Sequence, residues 1–279
     1  MLPVRVFVGS SRAEWLPTRV LEFSIRETSV SPIALHRIEA FERNIPTPRA
    51  TKNLARTPFS FQRFLIPELC GYQGRAIYLD ADMQVFTDID ALWRTDMAGY
   101  DLLTVREGTE GRKGQFSVML LDCDRLSWRI EKIIEGLDVG RYTYEQLVHD
   151  MCIVERVGRT VEPDWNCLEK YEPGQTRLLH YTDMNTQPWV SIKNPLRHHW
   201  VECLKRAIST GFVTRKEVAH EVSAGHIRPS LLAEVDAADL DMRALDALDR
   251  RFIAPHRAIR SAGAGSWGRL RTMFARHLK

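Results

Sequence analysis

The most constraining stretch of the sequence is Arg75–Trp93, RAIYLDADMQVFTDIDALW, where a short apolar run ends in two acids. The run Ala76–Leu79 has the length of one buried β-strand. Residues i and i+2 of a strand point to the same side, so Asp80 and Asp82 can aim both carboxylates at one point. Ligands of open α/β sheets bind just beyond the carboxyl ends of the strands. The stretch predicts either a ligand site or a loop with two solvated acids.

The two acids also indicate which ligand they would bind. Carboxylates a few ångströms apart repel each other and raise each other's pKa, and a divalent cation relieves that repulsion. Hard oxygen ligands suit Mg²⁺ or Mn²⁺. A D-x-D motif is frequent in sequences, so its position directly after a buried strand is what makes it informative.

The first part of the chain alternates strand and helix patterns. Strands are predicted at Val4–Val8, Ile33–Ile38 and Ala76–Leu79, and helices at Trp15–Arg26 and from Thr57 through Leu65. This alternation is typical of a doubly wound, mostly parallel sheet flanked by helices, which is an α/β fold.

A small-residue loop, Gly9-Ser10-Ser11, follows the first strand. Glycine permits close backbone approach, and the N-terminus of the following helix favours phosphate or ribose oxygens. The G-x-G-x-x-G fingerprint of dinucleotide-binding proteins is absent from this loop. A nucleotide-binding loop and a plain strand-to-helix turn therefore both remain open here.

Two later polar residues have ordinary structural explanations. Thr143 can cap a helix that begins near Tyr144, and Glu145 then lies in its first turn, where the helix dipole favours a solvated carboxylate. Thr176–Tyr181 predicts a strand that ends near His180, and a histidine at such a place is often only a hydrogen-bonded core residue.

Composition excludes several classes of protein. The chain has 279 residues, 44% of them apolar, and a net charge of +3, which is too small to indicate nucleic-acid binding. Five scattered cysteines without a C-x-x-C pair favour reduced thiols in the cytoplasm. We find no signal-peptide pattern at the start and no apolar run of membrane-spanning length.

The C-terminal part has a different charge pattern. Residues 234–249 carry six acids against one arginine, whereas residues 251–279 carry seven Lys or Arg and no acid. Trp267, Leu270, Phe274 and Leu278 fall at helical spacing among the basic residues. The pattern predicts an amphipathic helix that packs on the core or on a second subunit, or that lies on an anionic membrane surface.

Taken in order, these motifs resemble glycosyltransferase family 8, which includes bacterial lipooligosaccharide galactosyltransferases and glycogenin. The resemblance covers residues 4–189 and is most specific in YLDAD and in HYTDMNTQPW, residues 180–189. It implies a GT-A fold, a Rossmann-like α/β architecture with a mostly parallel mixed sheet. We expect a nucleotide-sugar-binding catalytic domain over residues 1–211 and a helical C-terminal extension with the basic tail over residues 212–279.

The resemblance also implies roles for particular residues. Asp80, Asp82 and His180 correspond to the ligands of Mn²⁺, with Mg²⁺ as the alternative, and imidazole among carboxylates favours Mn²⁺. Catalytic roles are implied for Glu145 and Gln146, which are the closest match to the family's D-Q or Q-D pair near the sugar. The nucleotide-sugar contacts implied by the family are Val8, Gly9, Ser10, Ser11, Arg63, Asp80, Ala81, Asp82, Gln187 and Trp189.

The chain departs from the family pattern at two places. The late family motif H-Y-x-G-x-x-K-P-W has a lysine that contacts a phosphate, and here the segment is one residue longer and Gln187 stands in its place. A neutral amide cannot offset phosphate charge as lysine does. Phe116 and Ser117 replace the start of the family's N-A-G, in the region that contacts the sugar and the acceptor.

The implied reaction is hexose transfer from a UDP-sugar to a glycan or another hydroxyl acceptor, with retention of anomeric configuration. A cation at the D-x-D would stabilise the diphosphate leaving group. Two alternatives remain: a catalytically silent glycan- or nucleotide-binding module, and a haloacid dehalogenase-like phosphatase. The phosphatase motif normally follows the first strand, whereas this D-x-D lies near residue 80.

The membrane interpretation of the tail can be tested directly. Each basic side chain near an anionic membrane contributes about 1 kcal/mol to binding. If the tail helix lies on the inner membrane face, deletion of residues 264–279 should abolish co-sedimentation with anionic vesicles. Unchanged binding after the deletion would exclude the tail as the anchor, and absence of binding by the full chain would favour packing on the core or on a partner.

Overall fold

The computed structural model describes residues 3–106, 116–237 and 241–255. Within these ranges the strands are β1 (Val4–Gly9), β2 (Ile33–Arg37), β3 (Arg75–Asp80), β4 (Met83–Val85), β5 (Leu102–Val105), β6 (Val118–Asp122), β7 (Val157–Val161), β8 (Cys167–Leu168) and β9 (Leu178–His180). The helices are α1 (Trp15–Thr28), α2 (Ile66–Leu69), α3 (Asp90–Trp93), α4 (Ile130–Asp138), α5 (Tyr144–His149), α6 (Arg197–Ser209), α7 (Arg215–Ser223), α8 (Ser230–Asp236) and α9 (Met242–Asp249).

The main sheet has six strands in the order β2-β1-β3-β6-β5-β7. Strand β1 pairs in parallel with β2 and with β3, and β5 pairs in parallel with β7. Strand β6 runs antiparallel to both of its neighbours, β3 and β5. The predicted mostly parallel mixed sheet is confirmed. The loop after β1 and the acids after β3 lie side by side because parallel neighbours end at the same edge.

Both faces of strand β3 are buried, which explains its uninterrupted apolar run. Ala76 and Tyr78 face one hydrophobic cluster, while Ile77 and Leu79 face another, as expected for side chains that alternate along a strand. A central strand covered on both sides leaves only its carboxyl end accessible. The acids at that end are therefore the first polar groups of the strand that can meet a ligand.

A second, three-stranded sheet in the order β4-β9-β8 brings the late histidine to the D-x-D. Strand β4 follows Asp82 directly and pairs antiparallel with β9, which places Met83 opposite His180. The backbone N–H of Tyr181 donates to the carbonyl of Asp82 at 2.8 Å. This short pairing brings the YLDAD and HYTDMNTQPW segments together. Local sequence patterns did not predict strand β4.

One predicted helix begins later than its sequence pattern indicated. Thr57 starts a turn in which its backbone N–H donates to the hydroxyl of Ser60, and regular structure begins only with a 3₁₀ turn at Gln62–Leu65 followed by α2. Threonine and serine hydroxyls compete for backbone groups in this way and favour turns over helix interiors. The Thr57–Leu65 helix was therefore wrong in its start, although its apolar residues are buried as expected.

The helices after residue 211 share a core with the N-terminal part of the chain. Leu16 and Val20 of α1 pack in the same buried cluster as Trp200 of α6, Val218 of α7 and Leu231 of α8. The division into domains at residue 211 stays a prediction. No helix in the described ranges is long and apolar enough to cross a membrane. The predicted tail helix with Trp267, Leu270, Phe274 and Leu278 lies outside the described residues.

A buried arginine ties this C-terminal extension to the segment that follows β9. Arg228 is fully buried; its backbone N–H donates to the carbonyl of Trp189 at 2.9 Å and its Nε–H to that of Pro188 at 2.8 Å. Its guanidinium pairs with Glu234, which also pairs with Arg197 at 2.8 Å. A desolvated charge needs such partners, so the network holds the chain at residues 188–189 in one position.

We expect Arg228→Met to lower the free energy of unfolding by about 3–5 kcal/mol, because it leaves the Glu234 carboxylate with less compensation. The matched control is Arg215→Met, whose ion pair with Asp236 is exposed and should change the free energy of unfolding little. Denaturant unfolding of both variants gives the comparison. Equal losses in the two variants would contradict the structural role of the buried arginine.

Candidate functional site

The three side chains assigned to a metal converge at the carboxyl edge of the main sheet. Asp80 ends β3, Asp82 lies two residues later, and His180 ends β9. One ligand atom from each lies within 4.8 Å of the others. The side chains come from segments a hundred residues apart in the sequence, and the β4–β9 pairing is what brings them together.

The donor atoms of this group suit a divalent cation. Oδ1 of Asp82 is buried yet accepts no hydrogen bond, although it lies 3.0 Å from Nε2 of His180. A buried acceptor without a hydrogen bond is costly and indicates a site built for another partner. Two carboxylates and one imidazole are a donor set that Mn²⁺ accepts well. The residues therefore fit the metal that the family resemblance implies.

Two buried side chains, Tyr78 and Arg63, contact the carboxylate of Asp80. The hydroxyl of Tyr78 donates to Oδ1 of Asp80 at 2.5 Å, and the guanidinium of Arg63 lies 3.5 Å from the same oxygen. Burial raises the pKa of Asp80; the charge of Arg63 lowers it and that of Asp82 raises it again. The net shift of the Asp80 pKa is upward, and burial is its largest cause.

Arg63 itself is buried beneath the site. Its guanidinium lies over the ring of Tyr78 at 4.7 Å, and its Nη1 donates to the carbonyl of Phe116 at 2.8 Å. Phe116 and Ser117 are both buried, and the ring of Phe116 lies under the guanidinium of Arg159 at 5.1 Å. Arg63, which is predicted to contact the nucleotide sugar, and Phe116, which is predicted to line the sugar pocket, are therefore in direct contact.

A single amide orients the imidazole of His180. Nδ1 of His180 lies 2.9 Å from Oδ1 of Asn166, so the ring donates from Nδ1 and turns Nε2 toward Asp82. Burial lowers the pKa of His180, but the negative charge of Asp82 raises it more, so the net shift of this pKa is upward. A histidine oriented through its second nitrogen is the usual arrangement at metal sites. Asn166 was not predicted from the sequence.

The loop after β1 lies directly beside the metal group. Gly9 is the register partner of Asp80, and Val8, which precedes it, is buried in the core. A Cβ on Gly9 would clash with the hydroxyl of Tyr78, so only glycine leaves room for the contact of that hydroxyl with Asp80. The sheet thus places the predicted nucleotide-binding loop and the acids on one edge.

Two side chains hold this loop in place. Gln62 accepts from the backbone N–H of Ser10 at 3.0 Å and donates to its carbonyl at 2.8 Å. Oε2 of Glu14 accepts from the backbone N–H of Ser11 at 2.8 Å and from its hydroxyl at 2.9 Å. Sequence analysis missed both residues. The spacing of Ser11 and Glu14, which is that of a capping box, could have revealed the second.

Glu14 is a buried acid close to the metal group. Its burial raises its pKa to about 8; hydrogen bonds from Ser11 oppose the shift, and the charges of Asp82 and Asp80 add to it. The site therefore gathers three carboxyl groups and one imidazole in a partly desolvated space. Because its pKa is about 8, Glu14 is mostly neutral at pH 7, and the negative charge of the site comes from Asp80 and Asp82.

The late motif contributes one residue to the site and one to the core. Gln187 is buried, and its Nε2 donates to Oδ2 of Asp82 at 3.0 Å and to the carbonyl of Tyr181 at 2.9 Å. Trp189 packs between Tyr181 and Trp200, with ring centroids 6.2 and 5.3 Å away. The role of Trp189 as a donor contact stays a prediction. Ala81, between the two acids, is buried in the core.

The two predicted catalytic residues lie at the start of α5. Glu145 is exposed and pairs with Arg56 at 2.9 Å, while Oε1 of Gln146 accepts from the backbone N–H of Thr143 at 2.8 Å. Thr143 accepts in return from the N–H of Gln146, which confirms the predicted helix cap. The structure thus places both side chains in a surface helix start, and their catalytic role stays a prediction.

Comparison with solved structures identifies the class of fold. The bifunctional glycosyltransferase WbbM aligns with a TM-score of 0.55 at 13% identity, over 72% of this chain and 49% of WbbM. The apo form of the glycosyltransferase GlyE from Streptococcus pneumoniae TIGR4 aligns with a TM-score of 0.51 at 20% identity, over 72% and 60%. The chain therefore spans about half to three fifths of these proteins, and the likeness shows the GT-A glycosyltransferase fold.

Comparison of sequences identifies the family. A model described as Glycosyl transferase family 8 matches residues 19–144. Protein CDI of Arabidopsis thaliana is 36% identical over 211 residues, a match that spans 67% of this chain and 80% of that protein. The chain belongs to glycosyltransferase family 8. The resemblance inferred from YLDAD and HYTDMNTQPW is thereby confirmed.

The buried acid Glu14 predicts a pH dependence of stability in protein stripped of metal with a chelator. Its pKa is about 8 in the folded chain and 4.5 ordinarily, so between these values the unfolded chain holds fewer protons. Stability should fall as pH rises through this window, by up to about 1.4 kcal/mol per pH unit. The raised pKa values of Asp80 and His180 act in the same direction.

Glu14→Gln should flatten this slope in denaturant titrations between pH 5 and pH 8 without removing the contribution of the other groups. The matched control is Glu217→Gln, since Glu217 occupies the same capping-box position after Thr214 and its pKa is lowered. Equal slopes for wild type and Glu14→Gln would contradict the protonated state of Glu14.

Proposed function

We propose that the chain transfers a hexose from a UDP-sugar to a hydroxyl group of a glycan or a similar acceptor, with Mn²⁺ as its metal and with retention of configuration. The observation that carries the proposal is the register of Gly9 with Asp80. This register sets a small-residue loop beside two acids and a histidine, as a site for a nucleoside diphosphate and a cation requires.

Asp80, Asp82 and His180 would hold the cation. When bound there, the cation supplies positive charge against the diphosphate leaving group. Asn166 holds the imidazole with Nε2 inward, and Tyr78 holds Asp80 at the end of β3. Ligands held in this way need little reorganisation when charge develops during the reaction.

The loop residues would bind the nucleotide. Gln62 fixes both backbone groups of Ser10, and Glu14 fixes the backbone N–H and the hydroxyl of Ser11, so the loop offers the nucleotide a preorganised surface. Arg63 links Asp80 to the backbone of Phe116, and we infer that these residues and Ser117 support the pocket for the sugar. The pairing of Glu145 with Arg56 and the capping role of Gln146 favour, as the second candidate, a module that binds the donor without turning it over.

The expected setting of the reaction is the cytoplasm, since none of the five cysteines is paired in a disulfide. A homodimer and contact of the tail with the inner membrane face are further proposals from the sequence. The acceptor would be a glycan or another molecule with a free hydroxyl group.

The first test is release of UDP from UDP-sugars by the wild-type chain in the presence of Mn²⁺. Release with a panel of acceptors supports transfer, and nucleotide binding without release supports the silent module. Asp82→Ala should abolish turnover because it removes a metal ligand whose second oxygen also orders Gln187. The exposed Asp236→Ala serves as the control and should retain turnover.

Thermal shift gives a second readout that does not depend on the acceptor. UDP at about 100 times its Kd should stabilise the wild type by about 2.7 kcal/mol with Mn²⁺ present and much less with chelator. The same stabilisation of Asp82→Ala and wild type by UDP with Mn²⁺ would rule out the assigned metal centre.

A further inference from the structure

Gln187 occupies the place of the family lysine, yet its contacts are with the protein. The side-chain amide has two N–H donors, both on Nε2. Oδ2 of Asp82 lies 3.0 Å from this nitrogen and the carbonyl oxygen of Tyr181 lies 2.9 Å from it. Both neighbours are acceptors only, so the amide can face them only with its NH₂ group. The donors of Gln187 are thereby used within the chain.

This arrangement leaves nothing on Gln187 that could hold a phosphate. The remaining polar atom of the side chain is its carbonyl oxygen, which is an acceptor. Phosphate oxygens of a nucleoside diphosphate are acceptors as well, so the two would repel each other. The expectation that Gln187 contacts the donor phosphates therefore conflicts with its hydrogen bonds.

The two oxygens of the Asp82 carboxylate therefore have different partners. Oδ2 is held by Gln187, whereas Oδ1 accepts no hydrogen bond and lies 3.0 Å from Nε2 of His180. A carboxylate anchored through one oxygen keeps its plane and rotamer fixed. The other oxygen is then presented to the point where the three ligands converge.

We propose that Gln187 is a positioning residue for the metal ligand Asp82 and does not contact the donor phosphates. The inference rests on the proposed metal-dependent function of Asp80, Asp82 and His180. It adds the residue that holds the second acid of the D-x-D, and it gives a physical reason for an uncharged side chain at position 187.

The reason is electrostatic. A lysine ammonium at this distance from Asp82 would form an ion pair with the carboxylate and compete with a divalent cation for it. An amide holds the carboxylate without neutralising it. The hydroxyl of Tyr78 and the amide of Asn166 act alike on Asp80 and His180, so each ligand of the group has an uncharged partner.

The backbone around Gln187 is also fixed. Its N–H donates to the carbonyl of Asp183 at 3.0 Å, and the two following residues, Pro188 and Trp189, are hydrogen-bonded to the buried Arg228. A positioning residue must itself be held in place, because the geometry that it imposes is only as precise as its own. The C-terminal extension supplies that support through Arg228.

The test measures Mn²⁺ binding without nucleotide, by calorimetry and by the electron paramagnetic resonance of the bound ion. Gln187→Ala and Gln187→Met, which keeps most of the side-chain volume, should each weaken Mn²⁺ binding by about 10- to 100-fold. Gln187→Lys should weaken it as well, because the ammonium pairs with Asp82. The control Gln175→Ala, at an exposed turn, should bind Mn²⁺ like the wild type.

A different pattern of Mn²⁺ and UDP binding would contradict the positioning role of Gln187. Unchanged Mn²⁺ binding by the alanine and methionine variants, with weaker UDP binding at saturating Mn²⁺, would overturn the proposal and return Gln187 to the donor site. Thermal unfolding of each variant without metal shows whether it is folded. If Gln187→Ala does not fold, Mn²⁺ binding is compared between Gln187→Met and the wild type. A wild type that binds Mn²⁺ but releases no UDP would contradict the proposed transfer and leave the role of Gln187 standing.

Discussion

The site depends on one electrostatic constraint: the buried Asp80 and the partly exposed Asp82 are placed together at the end of a buried strand. Two desolvated carboxylates are unfavourable unless nearby groups compensate their charge. The protein compensates them only in part, with one buried guanidinium at 3.5 Å from Asp80 and an imidazole at 3.0 Å from Asp82. The raised pKa of Asp80 records the remaining imbalance, which a divalent cation would relieve.

The surroundings of the acids are built to preserve this arrangement. Tyr78 has room to reach Asp80 because Gly9 has no side chain, and Gln187 contacts Asp82 directly before Pro188, whose carbonyl accepts from Arg228. The main sheet and the C-terminal extension therefore both support the group formed by Asp80, Asp82 and His180. This dependence explains why helices far along the chain share a core with α1.

Much of the fold follows from local patterns. The strands β1, β2, β3 and β9 were predicted because alternation and apolar runs reflect burial of the strand itself. The start of the helix at Thr57 was wrong because a local hydroxyl contact with Ser60 outweighed the capping pattern. Strand β4 was missed because three residues are too few for a periodic signal. Asn166 and Gln62 were missed because their partners, His180 and Ser10, are distant in the sequence, whereas Glu14 was missed although its capping-box spacing from Ser11 is local.

The sequence by itself determined the D-x-D at the end of a buried strand, the small-residue loop after β1 and the family to which the chain belongs. These features are local, since they depend on residue types within a few positions of one another. The family resemblance already grouped His180 with the two acids, whereas only the tertiary structure decided that Gly9 lies beside Asp80 and that Gln187 faces a carboxylate. Such contacts depend on strand register and on packing between distant segments, which no short stretch of sequence specifies.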